Sequence, residues 1–421
     1  MIGPVLDEAM RWWYAGEQVA VATVTATSGS APRPPGTSML VAPDGTVTGS
    51  VSAGCVEAAI YQLCRTVLDT GEGRLARFGD TGDELFDPGL TCGGTIEVYV
   101  QRVDRDSVPQ LDRLHAATRA ARPVAVVTCL TGPPASRGRW LLVDADGQWG
   151  SLGGPTLDAA AVRAARAALE TGRTTLAQPA AGTTLLVLGI LPPPRMIICG
   201  ATEFTAALAR QGRFLGYRVT VCDARAVFTT RQRFPDADDV VVDWPHRYLS
   251  AEAAAGRVDP RTVLCVLTHD PKFDVPLLRT ALDLPLAYIG AMGSRRSAAD
   301  RAARLRAVGV PPAALTRLSA PIGLDLGAVT PEETAVSIAA EIVAAGSGRD
   351  GGRLTGGRGS IHPAEYGPAA HGSAGGEPQR QEEVHPVLEP AEVPAGQLLY
   401  PADPVPQRVD VHMEPLRAAA P

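Results

Sequence analysis

The chain has 421 residues, of which 45% are hydrophobic and 20% are charged, and it carries a formal net charge of −6. This length predicts two or three domains, and the acidic balance lacks the basic footprint of a nucleic-acid-binding protein. No apolar run approaches the roughly 18 residues that a membrane span needs. The N-terminus mixes Asp7, Glu8 and Arg11 with apolar residues, which is unlike a signal peptide. We therefore expect a cytoplasmic protein that binds no nucleic acid and has no stable membrane insertion.

Residues 1–190 have the pattern of a β-rich α+β domain. Runs rich in β-branched residues and a hairpin signal at Pro43-Asp44-Gly45 predict strands, and apolar residues spaced three or four apart predict helices. The predicted strands cover residues 19–27, 38–42, 46–50, 95–100, 123–130 and 140–143, and the predicted helices cover 57–68 and 157–170.

Residues 191–346 change in character, because short apolar runs now alternate with helical segments. The runs cover residues 196–199, 218–222, 240–242, 263–267 and 286–289. This alternation predicts a Rossmann-like, doubly wound parallel sheet. The remaining residues, 347–421, contain 11 Gly and 11 Pro without periodicity, which is typical of a disordered tail.

The seven cysteines form no C-x-x-C pair and have no zinc-like spacing with histidine. This usage fits a reducing compartment. Cys129, Cys199, Cys222 and Cys265 each lie inside an apolar, strand-like run, so they are predicted to be small buried core residues.

Two loops of small residues each present a thiol. In the first, Gly54 is predicted to cap a helix, with Cys55 in its first turn and Glu57 supporting the N-terminus, where a thiolate is favoured. In the second, Cys92 is followed by Gly93 and a further glycine, which allow close backbone approach. Since no histidine follows closely in sequence, a ligand or carrier role is favoured over a nucleophile. For Cys92, a buried thiol in a tight turn is the alternative.

The first predicted strand of the Rossmann-like region ends in a modified phosphate loop. Gly200 is the only glycine of a G-x-G-x-x-G pattern that is present, and Thr202 and Glu203 place a Cβ and a negative charge where a pyrophosphate would bind. Asp223 ends the second strand, where a ribose-binding acid belongs. A turn aspartate is the equally weighted alternative, and NAD is a doubtful ligand.

Three further blocks follow later strands of this region, at or just past carboxyl ends that line the ligand crevice of an open α/β sheet. The first contains His269 and Asp270, with a titratable ring beside a charge. The second contains Ser294 and Arg295, which suit a phosphate. A helix cap at Ser294 followed by exposed arginines is the alternative. The third covers residues 320–327.

These blocks, together with residues 26–36, 49–57 and 91–94, resemble the XdhC/CoxI family. The resemblance implies a protein that binds molybdenum cofactor (molybdopterin), protects it while its sulfido ligand is installed, and delivers it to an apo xanthine or carbon monoxide dehydrogenase. It implies that Cys55 is the leading cofactor contact and faces the metal, and that Cys92 is the second contact. Arg33 would contact the phosphate or the pterin, with a solvated turn arginine as the alternative.

The resemblance also implies partners, namely the large subunit of an apo-molybdoenzyme and a cysteine desulfurase, with a homodimer left open. The cofactor would lie between the thiol-bearing domain and the Rossmann-like crevice, and the protein would act by binding and transfer rather than by turnover. Two other hypotheses are an NAD(P)-dependent oxidoreductase that uses the Rossmann-like domain and a non-catalytic interaction scaffold.

Overall fold

The first sheet along the described residues, the N-terminal sheet, is antiparallel. The computed structural model describes residues 3–29, 33–52, 54–79 and 94–355. The strands of this sheet are β1 (Val19–Ser28), β2 (Ser38–Val41), β3 (Val47–Gly49), β4 (Arg74–Gly79) and β5 (Thr95–Val103). Their order is β3-β2-β1-β5-β4. The predicted hairpin is confirmed: Asp44 Oδ1 accepts a hydrogen bond from the Thr46 amide at 2.9 Å, and Gly45 adopts a φ of 88°.

The second sheet, the middle sheet, is also antiparallel. Its strands are β6 (Val124–Thr131), β7 (Trp140–Asp144), β8 (Gly147–Gly150), β9 (Thr174–Ala180) and β10 (Thr183–Ile190), in the order β8-β7-β6-β10-β9. The two antiparallel sheets share a core that includes Leu40, Val103, Val126 and Leu142, all nearly inaccessible to solvent. Full burial of one such side chain contributes about 1.5–3 kcal/mol.

The third sheet is parallel. Its strands are β11 (Arg195–Cys199), β12 (Arg218–Asp223), β13 (Asp239–Val242), β14 (Val263–Val266), β15 (Tyr288–Ala291) and β16 (Leu318–Ser319). Their order, β13-β12-β11-β14-β15-β16, is the 3-2-1-4-5-6 order of a Rossmann fold. The predicted α/β class, with a β-rich first part and a Rossmann-like sheet, is confirmed.

Helices pack against all three of these sheets. They are α1 (Gly3–Ala15), α2 (Glu57–Thr70), α3 (Leu111–Arg119), α4 (Pro155–Thr171), α5 (Glu203–Phe214), α6 (Pro245–Ala254), α7 (Pro271–Leu282), α8 (Arg295–Ala307), α9 (Pro312–Leu315) and α10 (Pro331–Gly346). One face of the parallel sheet packs against α5 and α10, and the other against α6, α7 and α8. None of the helices in the described ranges has the length and apolarity of a membrane span.

The four cysteines predicted as core residues are buried. Burial raises the pKa of Cys222 to about 12 and raises that of Cys199 and Cys129 above the usual value. These thiols therefore remain protonated and inert near neutral pH.

Candidate functional site

The Cys55 loop joins β3 to α2. The prediction that Gly54 caps the helix and that Cys55 lies in its first turn is wrong, because α2 begins at Glu57 and its N-cap is Val56. Ser52 organises the turn instead: its hydroxyl accepts hydrogen bonds from the amides of Gly54 at 3.2 Å and Val56 at 3.4 Å. Cys55 therefore lies one residue before the N-cap, half-buried against the core beneath α2.

Glu57 fixes this loop to the start of the helix. One carboxylate oxygen accepts hydrogen bonds from the Ser50 hydroxyl at 2.7 Å and the Ser52 amide at 2.9 Å, and the other accepts from the Ser52 hydroxyl. Burial works to raise the pKa of Glu57, but the hydrogen bonds from Ser52 and Ser50 outweigh it and hold the pKa below its usual value. The Glu57 carboxylate thus stays ionised near neutral pH, and its hydrogen bonds hold the loop at the start of α2.

Space is open beside the thiol-bearing residue. Gly54 is exposed, and a Cβ built on it would meet nothing within 4 Å. Arg33 is exposed in the turn that follows β1. Cys92 and Gly93, the second predicted thiol loop, lie outside the described residues. Of the two predicted thiol contacts, Cys55 is therefore the one within the described residues.

Gly200 follows β11 and passes close to the end of β14. Its φ is 115°, and a Cβ on it would lie 3.0 Å from the carbonyl carbon of Leu267, so the position requires glycine. Thr202 is the N-cap of α5, and its hydroxyl accepts the Thr205 amide at 3.2 Å. The residue that departs from the glycine-rich pattern therefore acts as a helix cap.

Asp223 is buried at the end of β12 and makes its hydrogen bonds within the protein. It accepts from the Ala201 amide at 2.8 Å, and from the amide, Nε and Nη2 of Arg225 at 2.8, 2.9 and 2.7 Å. Burial works to raise the pKa of Asp223, but these hydrogen bonds, led by those from Arg225, hold it below its usual value. The Asp223 carboxylate thus satisfies the hydrogen-bonding capacity of the Ala201 amide, which belongs to the loop after β11.

His269 and Asp270 lie between β14 and α7. Asp270 is the N-cap of α7: it accepts the Lys272 amide at 3.1 Å, and its carboxylate lies 3.0 Å from Lys272 Nζ. The hydrogen bond from Lys272 is the main cause that lowers the pKa of Asp270. His269 is exposed and lines a cavity between α7 and α8.

Ser294 and Arg295 form a helix cap followed by an exposed arginine, which was the alternative to a phosphate site. Ser294 is the N-cap of α8 and accepts the Ser297 amide at 3.1 Å. The Arg295 side chain is 89% exposed, and its nearest acidic partner is Asp325 at 3.5 Å. Arg295 is thus a surface residue beside a helix cap.

A buried ion pair, absent from the sequence-based site, connects α7 to α8. Arg301 contacts Asp274 at 3.0 Å, and their side chains are 6% and 4% exposed. Thr268 donates to the Asp274 carboxylate, and Arg301 Nη2 donates to the Met292 carbonyl at 2.8 Å. Burial raises the pKa of Asp274 despite the opposing effects of Thr268 and Arg301. The only signal in the sequence is that Arg301 lies four residues before Leu305, on the apolar stripe of α8.

The block at residues 320–327 is held by α10. The Glu341 carboxylate accepts the Gly323 amide at 2.6 Å and the Tyr288 hydroxyl, and Ser337 Oγ donates to the Leu324 carbonyl at 2.6 Å. These contacts give the block a structural role at the edge of the parallel sheet.

Across the part of the chain that the structure describes, no group of three or more His, Cys, Asp or Glu side chains is arranged to hold a metal ion.

The fold and these loops define a protein with a thiol-bearing β-rich part and a Rossmann-type part. Residues 196–342 match the model of the XdhC Rossmann domain, and residues 12–79 and 117–178 match the model of the XdhC and CoxI family. The chain belongs to the XdhC/CoxI family.

Relatives match over most of their length. The chain is 28% identical over 331 residues to a probable xanthine dehydrogenase subunit of Bacillus subtilis, and the match spans 78% of this chain and 93% of that protein. It is 25% identical over 346 residues to the molybdenum cofactor insertion chaperone PaoD of Escherichia coli, and this match spans 80% of this chain and 86% of that protein. A crystal structure described as a xanthine dehydrogenase from Bacillus halodurans superposes with a TM-score of 0.59 at 25% identity, covering 81% of this chain and 95% of that one.

Proposed function

We propose that this protein binds molybdenum cofactor as a cargo and delivers it to an apo-molybdoenzyme of the xanthine dehydrogenase or carbon monoxide dehydrogenase type. The observation that carries the proposal is the Cys55 loop in a chain that matches an insertion chaperone over most of its length. The protein itself contributes binding and protection, and the redox chemistry takes place later, in the recipient enzyme.

The Cys55 thiol suits such a cargo for three reasons. Sulfur is a soft ligand and suits a metal that already has sulfur ligands. Cys55 is half-buried rather than fully enclosed, and the exposed Gly54 leaves open space beside it. Glu57 and Ser52 hold the loop, so the thiol is presented by a fixed backbone.

We further propose that the cargo receives its sulfido ligand while it is bound, with a cysteine desulfurase as the sulfur donor, and that the large subunit of the molybdoenzyme is the recipient. The open side of the Cys55 loop supports this order of events, because a donor must reach the metal before the cofactor is passed on. Cys92 and Gly93 belong to the proposed cofactor site as a second thiol loop.

Co-purification from a host that makes the cofactor tests the proposal. We expect molybdenum and pterin, measured by elemental analysis and by fluorescence after oxidation, at about one equivalent per chain. Cys55→Ala should lower both. Cys64→Ala is the matched control, because Cys64 lies on α2 but is buried, with its pKa raised to about 12.

Wild-type protein that carries neither pterin nor molybdenum would refute the proposed function. Equal cofactor content in wild type and Cys55→Ala would instead refute the role of the thiol and favour a scaffold function. Equal losses in Cys55→Ala and Cys64→Ala would show a general effect of removing a thiol from this region rather than a cofactor contact.

A further inference from the structure

A polar cavity of about 170 Å³ lies at the carboxyl end of the parallel sheet, between α7 and α8. Its lining comes from the start of α7, from one face of α8 as far as its last turn, and from the loop before α7. The residues are His269, Pro271, Asp274, Val275, Ser297, Asp300, Arg301 and Arg304. Two arginines and a serine therefore line the same cavity, and these are donors that suit an anion.

Arg301 gives this cavity a charge with unused bonding capacity. Its Nε and Nη2 donate to Asp274, and Nη2 also donates to the Met292 carbonyl. Nη1 is buried and has no hydrogen-bond partner within the described part of the chain. An arginine has five N–H donors, so the two on Nη1 are left over. A buried charged donor without a partner is costly, and an oxyanion would remove that cost.

The guanidinium is locked in place. Gly293, with a φ of 147°, crosses so near that a Cβ on it would lie 3.1 Å from Ser297 Cβ and 3.7 Å from Arg301 Nη2. The Asp274 carboxylate accepts hydrogen bonds from Nε and Nη2 at the same edge of the guanidinium. An arginine held in this way needs little reordering when it binds an anion, so binding loses little side-chain entropy.

Two exposed side chains of α8 tune the charge of the cavity. Arg304 adds a second positive charge, and Asp300, one helical turn earlier, adds an opposing negative charge. Asp274 and Arg301 offset each other's charge. The lining therefore has two guanidinium groups and two carboxylates, so anion binding depends on the donors that Arg301 leaves unused rather than on an excess of positive charge.

We propose that this cavity binds the phosphate of a phosphate monoester, with Arg301 Nη1, the Ser297 hydroxyl and Arg304 as its donors. The inference rests on the proposed function only for the source of that phosphate, which would be the terminal phosphate of the cofactor. It assigns the phosphate contact to Arg301 and Arg304, further along α8, rather than to Arg295 at its start.

Titration of cofactor-free protein with inorganic phosphate and with glycerol 3-phosphate, by calorimetry at low ionic strength and pH 7, tests the site. We expect saturable binding of both at one equivalent per chain. Arg304→Gln should weaken it about fivefold, as expected for one partly exposed ion pair, and Asp300→Asn should tighten it. Arg295→Gln is the matched control: it removes the same charge from the same helix, outside the cavity, and should leave binding unchanged.

Arg301→Lys keeps a cation beside Asp274 but removes Nη1, and it should abolish measurable binding while the protein still unfolds cooperatively. No saturable binding by wild type, or equal weakening by Arg295→Gln and Arg304→Gln, would overturn the proposal. Binding of inorganic phosphate alone would overturn the monoester assignment. Pterin loading that is equal in wild type and Arg301→Lys would overturn the link to the cofactor, whereas phosphate binding without pterin loading would refute the proposed function and leave the anion site standing.

Discussion

Replacement of Glu57 by glutamine should destabilise the loop that presents Cys55. The carboxylate accepts three hydrogen bonds, from the Ser50 hydroxyl, the Ser52 amide and the Ser52 hydroxyl. A glutamine at this position keeps one carbonyl oxygen, which can retain the first two bonds. Its NH₂ group then faces the Ser52 hydroxyl, which was a donor to the carboxylate.

The cost follows from the bonds that Ser52 already makes. Its hydroxyl accepts from the amides of Gly54 and Val56, so it cannot easily turn to accept a third donor. The Ser52 proton would therefore lose its acceptor in a fully buried position. Loss of this charge-assisted bond, which leaves a buried donor unsatisfied, should cost about 1–3 kcal/mol.

The effect should depend on pH in a defined direction. The folded-state pKa of Glu57 lies below its usual value of 4.5, so its contribution to stability is present above pH 4.5 and is lost as the pH falls. The difference between wild type and Glu57→Gln should accordingly be largest near neutral pH and should shrink at lower pH.

Urea unfolding followed by circular dichroism, at neutral pH and again in acid, measures both quantities. Glu72→Gln is the control, because Glu72 is exposed beyond the other end of α2 and should change stability by less than about 0.5 kcal/mol. A Glu57→Gln variant that is as stable as Glu72→Gln at pH 7 would show that the carboxylate does not hold this loop.

Two further outcomes follow from buried polar groups. Millimolar NADH should give no saturable change in intrinsic fluorescence, because the Asp223 carboxylate already accepts from Arg225 and from the Ala201 amide; tight binding would instead support an oxidoreductase. Gln101→Met should leave stability unchanged or raise it by up to about 1 kcal/mol in urea unfolding, because both polar atoms of the Gln101 amide are buried without a partner among the described residues. A loss above that size would mean that the amide has a partner, such as an ordered water.

Hydrophobic pattern and turn residues were sufficient to predict most strands. The segments around Val19–Ser28 and Val124–Thr131 are long, apolar and β-branched, and both lie centrally in their sheets. By contrast, β4, β8, β9 and β10 were not predicted. β9 (Thr174–Ala180) is an edge strand with several exposed residues and a proline near its end, so its sequence does not show the apolar alternation of a covered strand. That reason does not apply to β10 (Thr183–Ile190), which is apolar and lies between β6 and β9.

The Cys55 region shows why the cap of a helix is difficult to predict from sequence. Gly54 and Glu57 fit the spacing of a cap and its supporting carboxylate, yet the Ser52 hydroxyl competes successfully for the same amides. A serine whose side chain bonds to nearby backbone offers an alternative to the helical turn. The helix therefore begins at Glu57, as in the predicted range 57–68, but Cys55 lies before its first turn rather than in it.

The sequence motif pointed to Arg295 as a phosphate contact, whereas the geometry of α8 places Arg301 in the cavity. Arg295 directly follows the Gly-Ser motif, but at the first helical position its side chain extends into solvent. Arg301 lies six residues further, about 9 Å along the axis. Helical side chains lean toward the N-terminus, and this lean returns the Arg301 guanidinium to the Met292 carbonyl at the start of α8. The arginine that contacts the loop before α8 is thus the one on the face of the helix that packs on the sheet. Leu305 and the surrounding core determine which face that is, and the residues of the motif do not.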